Sequence, residues 1–112
     1  MNHMAERHDR FMQDPPAIRL GGIAANLARI ASYAGNPLNR QAVLDLTEES
    51  KWFIEWTAPL ADVEVAARLA EIQVSLALTE MRLRGGRQDI GAMISAASDW
   101  SGELLEMSGL AR

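Results

Sequence analysis

The sequence has no cysteine among its 112 residues. A chain without thiols cannot form disulfides, thiolate zinc sites or iron–sulfur centres, and it has no cysteine nucleophile. Histidine is scarce as well, because His3 and His8 are the only two and both lie in the polar N-terminal segment. The five-residue spacing between them does not suit one helical face, and the rest of the chain has no histidine for general-base or triad chemistry. We therefore expect no metal site and no histidine-based catalysis.

Long apolar runs and an excess of positive charge are also absent. No apolar run approaches the roughly 20 residues of a membrane-spanning helix, and the N-terminus is too polar for a secretory signal. We therefore expect a cytoplasmic protein with no membrane contact. The net charge of -4, with a pI near 5.1, has the wrong sign for a general phosphate binder and argues against nucleic acid.

Aromatic residues are few, and this composition favours helices. They make up 5% of the chain, whereas hydrophobic residues make up 48% and charged residues 23%. A β-sandwich requires aromatic and β-branched residues in its strands, whereas the abundant alanine of this chain is a strong helix former. Composition therefore predicts an all-α protein.

Proline and glycine divide the chain into a tail and four helical stretches. Residues 1–16 are predicted to form a flexible tail that ends at two prolines, and residues 17–112 a single domain. Apolar residues recur every three or four positions within the stretches, which is the spacing of bundle helices. With short connections between them, the helices predict an up-down-up-down antiparallel four-helix bundle. Their expected ranges are 17–34, 38–57, 60–84 and 87–107.

Two tryptophans mark the second predicted helix as a candidate partner-binding surface. At 100° per residue, Phe53 falls on the inward face, with Leu46, Ala42, Thr57, Ser50 and Val43. Trp52 and Trp56 lie on a shoulder of that face, beside the carboxylates of Asp45 and Glu49. One interpretation is that the indoles close the side of the bundle and that their N–H groups bond to water or to Glu49. The other is an exposed aromatic ridge that binds a basic or apolar helix of a partner.

The third and fourth predicted helices carry surfaces that suggest self-association. The third helix has a second apolar face, opposite its core stripe, and a helix apolar on two faces needs two neighbours. That face consists of Val63, Ala67, Ala70, Val74, Leu78 and Met81. The fourth helix has a stripe of small residues that would let another backbone approach closely, or that marks irregular helix. The stripe consists of Gly91, Ser95, Ser98 and Gly102. Together they predict a two-fold homodimer.

Three arginines surround the glycine pair between the third and fourth predicted helices. Arg82 and Arg84 suit the last helical turn, where cations complement the helix dipole, and Gly85-Gly86 permits a left-handed cap. Arg87 adds a third charge, so an anion site at this turn is an alternative. A nucleic-acid-associated regulator that uses the three arginines is the corresponding functional alternative.

The sequence points to no reaction. It has no phosphate-binding loop, dinucleotide fingerprint or zinc spacing, and no cofactor is expected. A carboxylate-based enzyme would have only Glu49 and Glu80 to build on, and Glu80 is better explained as a buried acid paired with an arginine or with Gln73. We therefore expect a non-catalytic interaction, adaptor or regulatory protein that acts as a homodimer and binds a protein partner.

Overall fold

Five α-helices follow one another in the computed structural model, which describes residues 3–87 and 89–110. They are α1 (His3–Met12), α2 (Pro16–Tyr33), α3 (Arg40–Thr57), α4 (Val63–Arg84) and α5 (Ile90–Ser108). A 3-10 turn, Pro37–Asn39, precedes α3, and a second one, Ala58–Leu60, follows it. The described residues include no strand, and the all-helical prediction is confirmed.

The ends of α2 to α5 follow local signals in the sequence. Pro16 occupies the first turn of α2, where its missing N–H costs nothing. Asp62 caps α4 by accepting the Val65 N–H at 3.0 Å, which explains why α4 begins three residues later than expected. Gly109 ends α5 in the left-handed conformation, with φ of 79°.

The N-terminal segment differs from the prediction, because residues 3–12 form α1 instead of a flexible tail. The Phe11 side chain is buried and stacks on Phe53 of α3, with ring centroids 4.1 Å apart. The connection to α2 is also fixed, since buried Arg19 donates to the Asp14 carbonyl at 2.7 Å. The physical reason is that Phe11, with Met4 two turns earlier, gives this polar segment an apolar edge that α3 can cover.

The core lies around α2, which packs against α5 and α3, whereas α4 packs mainly against α3. The molecule measures 38 × 35 × 21 Å, so its thinnest dimension is about two helix diameters. The predicted four-helix bundle is not confirmed as such, since the structure has five helices. The buried apolar residues of the main cluster are Leu20, Ile23, Ala24, Leu27, Ile30, Ala34, Val43, Leu44, Ile54, Leu69, Ile72, Leu76, Leu83, Met93, Ala97 and Leu104.

The buried face of α3 is rotated relative to the prediction. Ile54 is completely buried, whereas Phe53 and Leu46 are half-buried and pack at the edge of the core. Thr47 and Ser50 are buried with their hydroxyls donating to the carbonyls of Val43 and Leu46, each at 2.7 Å. This local bonding satisfies the hydroxyls without a partner from another helix, so polar residues can occupy the centre of the face.

An ion pair joins α4 to α5, where the two helices share few apolar contacts. The Arg68 guanidinium donates twice to the Glu103 carboxylate, from Nε and from Nη2, the latter at 2.8 Å. Arg68 also contacts Glu71 on its own helix at 3.3 Å. The hydrogen bonds from Arg68 lower the pKa of Glu103, and the pKa of Arg68 is raised by the same pair.

We expect Glu103→Gln to lower the free energy of unfolding by about 0.5–1 kcal/mol at pH 7, since both groups are partly exposed to solvent. Because the pKa of Glu103 is lowered in the folded state, its contribution is complete above the unfolded pKa of about 4.3. It is lost as the pH falls through the lower folded value. Urea unfolding from pH 7 to pH 2.5 should therefore show the wild type and the variant converging at acid pH. A constant difference at every pH would contradict this role, and Glu106→Gln, exposed on the same helix, is the control.

Candidate interaction surfaces

An aromatic cluster lies between α1 and α3, on the side of α3 where the sequence places the tryptophan shoulder. Trp56 is 5.9 Å from both Phe11 and Phe53, measured between ring centroids, and His8 meets its edge at 5.1 Å. Trp52 stacks on Trp56 at 6.1 Å. Both tryptophans are half-buried. Helix α1 therefore covers much of the ridge that was predicted as a partner-binding surface.

A chain of polar contacts fixes Glu49 beneath α1. Arg7 of α1 forms an ion pair with one oxygen of the Glu49 carboxylate, and Asn26 of α2 donates to the other at 3.0 Å. Arg29 in turn donates to the Asn26 side-chain oxygen at 3.0 Å. Glu49 therefore links three helices, and its recorded bonds go to Arg7 and Asn26 instead of a tryptophan N–H.

The structure brings three of the four predicted partner-binding residues into one cleft. A cleft of about 440 Å³ between α1 and α3 is lined by Asp45, Glu49 and Trp52, together with Glu48 and Arg7. Trp56 stacks on Trp52 but does not line this cleft. Asp45 also accepts a hydrogen bond from Gln41 at 2.9 Å. We call this the acidic cleft. Its carboxylates and one indole offer a surface for a cationic partner.

The sequence interpretation missed Arg7, His8 and Phe11, because residues 1–16 were assigned to a tail. A signal was present, since Arg7 and Phe11 are one helical turn apart and Met4 precedes Phe11 by two turns. Its weakness is length, because an isolated helix of 10 residues is marginal in water. Helix α1 is stabilised by packing against the aromatic residues of α3, and the local sequence of α1 does not reveal that contact.

The second apolar face of α4 is uncovered in the structure, and we call it the outer face of α4. Val63 is 83% exposed, Met81 64%, Val74 62% and Leu78 42%, and Ala67 and Ala70 are exposed as well. The opposite side of the helix is buried through Leu69, Ile72 and Leu76. The face therefore lies opposite the buried side of α4, as the sequence indicates, and its self-association stays a prediction.

The small-residue stripe of α5 also faces outward. All four of its residues, Gly91, Ser95, Ser98 and Gly102, are exposed. A Cβ added at Gly102 would meet no atom within 4 Å, and one added at Gly91 would meet only the Asp89 side chain, at 3.5 Å. No close packing of the described residues therefore requires glycine at these positions. The role of the stripe in self-association stays a prediction.

The predicted anion-site residues Arg82, Arg84 and Arg87 are exposed around the end of α4. The left-handed residue of this turn is Gly86, with φ of 69°, whereas Gly85 is right-handed. Arg84 lies 3.9 Å from Glu80, which also receives a hydrogen bond from Lys51 at 3.1 Å. Glu80 is therefore paired with a lysine and an arginine, and its predicted partner Gln73 donates to the Lys51 carbonyl instead.

Within residues 3–87 and 89–110, no group of three or more histidines or carboxylates is arranged to hold a metal ion. No helix in the described part of the chain is long and apolar enough to cross a membrane. The cytoplasmic location stays a prediction.

Comparison with protein-family models, with curated proteins and with solved structures found no match for this chain.

We expect Phe11→Ala to uncover the aromatic cluster while the rest of the fold remains. Tryptophan emission should shift to longer wavelength and acrylamide quenching should increase, because Trp56 loses its cover. Stability should fall by about 1–3 kcal/mol, which is less than the roughly 3–5 kcal/mol typical of phenylalanine truncation in a core, since α1 is a terminal helix. Ile18→Ala, at an exposed position of α2, is the matched apolar control. Unchanged emission and quenching in Phe11→Ala would show that α1 does not cover the ridge in solution.

Proposed function

We propose that the protein is a non-catalytic helical interaction protein that acts as a homodimer, with the outer faces of α4 from two copies packed together. The observation that supports this is the exposure of four large apolar side chains along one side of α4. Contiguous apolar surface of this kind marks interaction sites. Fully burying such a side chain contributes about 1.5–3 kcal/mol.

Charge along α4 favours a second copy as the occupant of its outer face. Glu64 and Arg82 are eighteen residues apart, which is five turns of about 3.6 residues, so both lie on the same flank of the outer face. They are nearly equidistant from its middle, because the face begins at Val63 and ends at Met81. In a two-fold antiparallel pair, Glu64 of each copy would therefore meet Arg82 of the other. Both are exposed, and no ion pair within the described residues engages either of them.

We also infer that α2 to α5 alternate in direction, as the predicted up-down-up-down arrangement requires. One cleft is lined by Ala34 after α2, Arg40 at the start of α3, Leu83 near the end of α4 and Ile90 at the start of α5. The cleft at the other end is lined by residues from the start of α2, the end of α3, the start of α4 and the end of α5. Alternating helix ends at each pole support this topology.

The acidic cleft is the surface that we propose for a different partner. It lies between α1 and α3, away from the outer face of α4, so a homodimer would present two copies of it. The carboxylates of Asp45 and Glu48 and the Trp52 indole suit a basic segment of a protein partner, through charge and cation–π contacts. The third carboxylate, that of Glu49, is already paired with Arg7. Such a dimeric adaptor would gain avidity from binding two segments at once.

Charge reversal on the flanks of α4 tests the homodimer. By light scattering, the wild type should have twice the 12.3 kDa mass of one chain. Glu64→Arg and Arg82→Glu should each weaken the dimer about tenfold or more, because two attractive contacts become repulsive at roughly 0.5 kcal/mol each. The double variant E64R/R82E should recover wild-type affinity, since it restores both pairs. Glu6→Arg, on α1, is the charge control.

Two outcomes would contradict this proposal. A wild type that remains monomeric at every concentration up to about 1 mM, the limit of a weak association of about 4 kcal/mol, would remove the homodimer. A dimer that is equally weakened by the double variant would remove the antiparallel arrangement. In the second case, Val74→Glu shows whether the dimer uses the outer face of α4 at all. A buried unpaired charge in the middle of that face disrupts any dimer that is formed through it.

A further inference from the structure

A second kind of site opens at the pole where α2 and α4 end and α3 and α5 begin. This end cleft has a volume of about 470 Å³, within the range of about 300–1,000 Å³ that is typical of small-molecule sites. Its apolar walls are formed by Ala34, Pro37, Val43, Leu83, Ile90 and Met93.

The floor of the end cleft is core, and its rim is open. Val43, Leu83 and Met93 are buried, whereas Ile90 is 38% exposed. A ligand that enters past Ile90 would therefore contact side chains already fixed by the packing of four helices. Such a preformed apolar surface favours an apolar ligand body, because little ordering cost remains on binding.

Arg40 is the charged residue of this cleft. Its Nη2 donates to the Leu83 carbonyl at 3.0 Å, which ties the guanidinium to the end of α4. No carboxylate within the described residues forms an ion pair with Arg40. A guanidinium has five N–H donors, and one hydrogen bond to a carbonyl leaves both its charge and most of its donors available.

The acid at the neighbouring start of α5 has a structural task of its own. Asp89 accepts the Ala92 N–H at 3.1 Å and so caps α5. Arg87 in the turn between α4 and α5 is a further cation at this pole, whereas Arg84, the last residue of α4, lies 3.9 Å from Glu80. Among the described residues that line the end cleft, the one charged side chain is therefore a cation, in a protein whose net charge is -4.

We propose that the end cleft binds a small amphipathic anion, that is, an apolar molecule that carries one carboxylate. The carboxylate pairs with the Arg40 guanidinium, and the apolar body lies against Val43, Leu83 and Met93. Arg40 suits this task because its planar fork can bind both oxygens of a carboxylate while the Leu83 carbonyl fixes its position. This site is separate from the outer face of α4 and from the acidic cleft, and it does not depend on the homodimer.

Calorimetry with octanoate as the probe tests the proposal, with octylammonium as a probe of the same length and opposite charge. Octanoate should bind the wild type saturably with one site per chain, and octylammonium should not. Arg40→Gln should weaken octanoate binding at least tenfold, because it removes the positive charge. The glutamine amide can still donate a hydrogen bond to the Leu83 carbonyl, so the local structure is preserved. Arg10→Gln, which removes an exposed arginine of α1 that does not line the cleft, should bind octanoate like the wild type.

A second readout locates the probe. In methyl NMR spectra, octanoate should shift the signals of Val43, Leu83 and Met93 and leave those of Val74 and Leu78 on α4 unchanged. The proposal fails if octanoate does not bind saturably, if Arg40→Gln binds it as well as Arg10→Gln does, or if octylammonium binds as tightly as octanoate. It also fails if the shifts appear on the outer face of α4 instead. Circular dichroism of Arg40→Gln should confirm that the variant is folded. If it is not, Ile90→Glu replaces it, because a negative charge at the rim should repel octanoate and weaken its binding.

Discussion

Close packing of α2 against both α3 and α5 is the constraint on which the rest of the structure depends. Ile23, Leu27 and Ile30 form its buried stripe, and Ala24 lets α5 approach closely enough for Ser101 to donate to the Ala24 carbonyl at 2.8 Å. Because α2 has α3 and α5 as its main neighbours, α4 must find its apolar contacts chiefly on α3. One side of α4 is then buried, and its main link to α5 is the ion pair of Arg68 and Glu103. Its outer face has no neighbour within residues 3–87 and 89–110.

The same arrangement explains the position of both clefts. Helix α1 packs along α3 through Phe11, and the acidic cleft lies between the two helices beside Trp52. The end cleft forms because four helix ends meet at one pole, where the connecting turns are short and side chains such as Val43 and Met93 are not capped by another helix. Each proposed surface therefore lies where a helix, or the end of a helix, has no other helix packed against it among the described residues.

Local signals made much of the fold predictable from the sequence. Proline and glycine predicted the approximate ends of α2 to α5, and three-four spacing identified the buried stripe of α4 together with its exposed opposite side. The caps formed by Asp62 and Asp89 were missed, and α4 and α5 each begin three residues later than expected.

The inward face of α3 was assigned correctly at Val43, Ser50 and Thr57, which are buried. It was assigned incorrectly elsewhere, because Phe53 and Leu46 suggest a core position and Thr47 does not. The structure shows why. Phe53 packs against Phe11 of α1 at the edge of the core, and the Thr47 hydroxyl donates to the Val43 carbonyl of its own helix.

The contacts of the candidate sites were less predictable, because they join residues far apart in the chain. Glu49 bonds to Arg7 and Asn26, and Arg40 bonds to the Leu83 carbonyl. No spacing rule links such pairs, since each depends on which helices become neighbours. The end cleft has no sequence motif at all, and it becomes visible only when helix ends are placed together.

The most direct test of the central claim, that the outer face of α4 pairs with itself in antiparallel fashion, is cysteine cross-linking. The chain has no cysteine of its own, so a single introduced thiol reports on one position. Position 74 lies near the middle of the face, whereas position 63 lies about 14 Å from the middle at 1.5 Å per residue. Val74→Cys should form a disulfide-linked dimer on mild oxidation, and Val63→Cys should form one with Met81→Cys but not with itself. Self-linking of Val63→Cys, or no linking of Val74→Cys, would contradict the account.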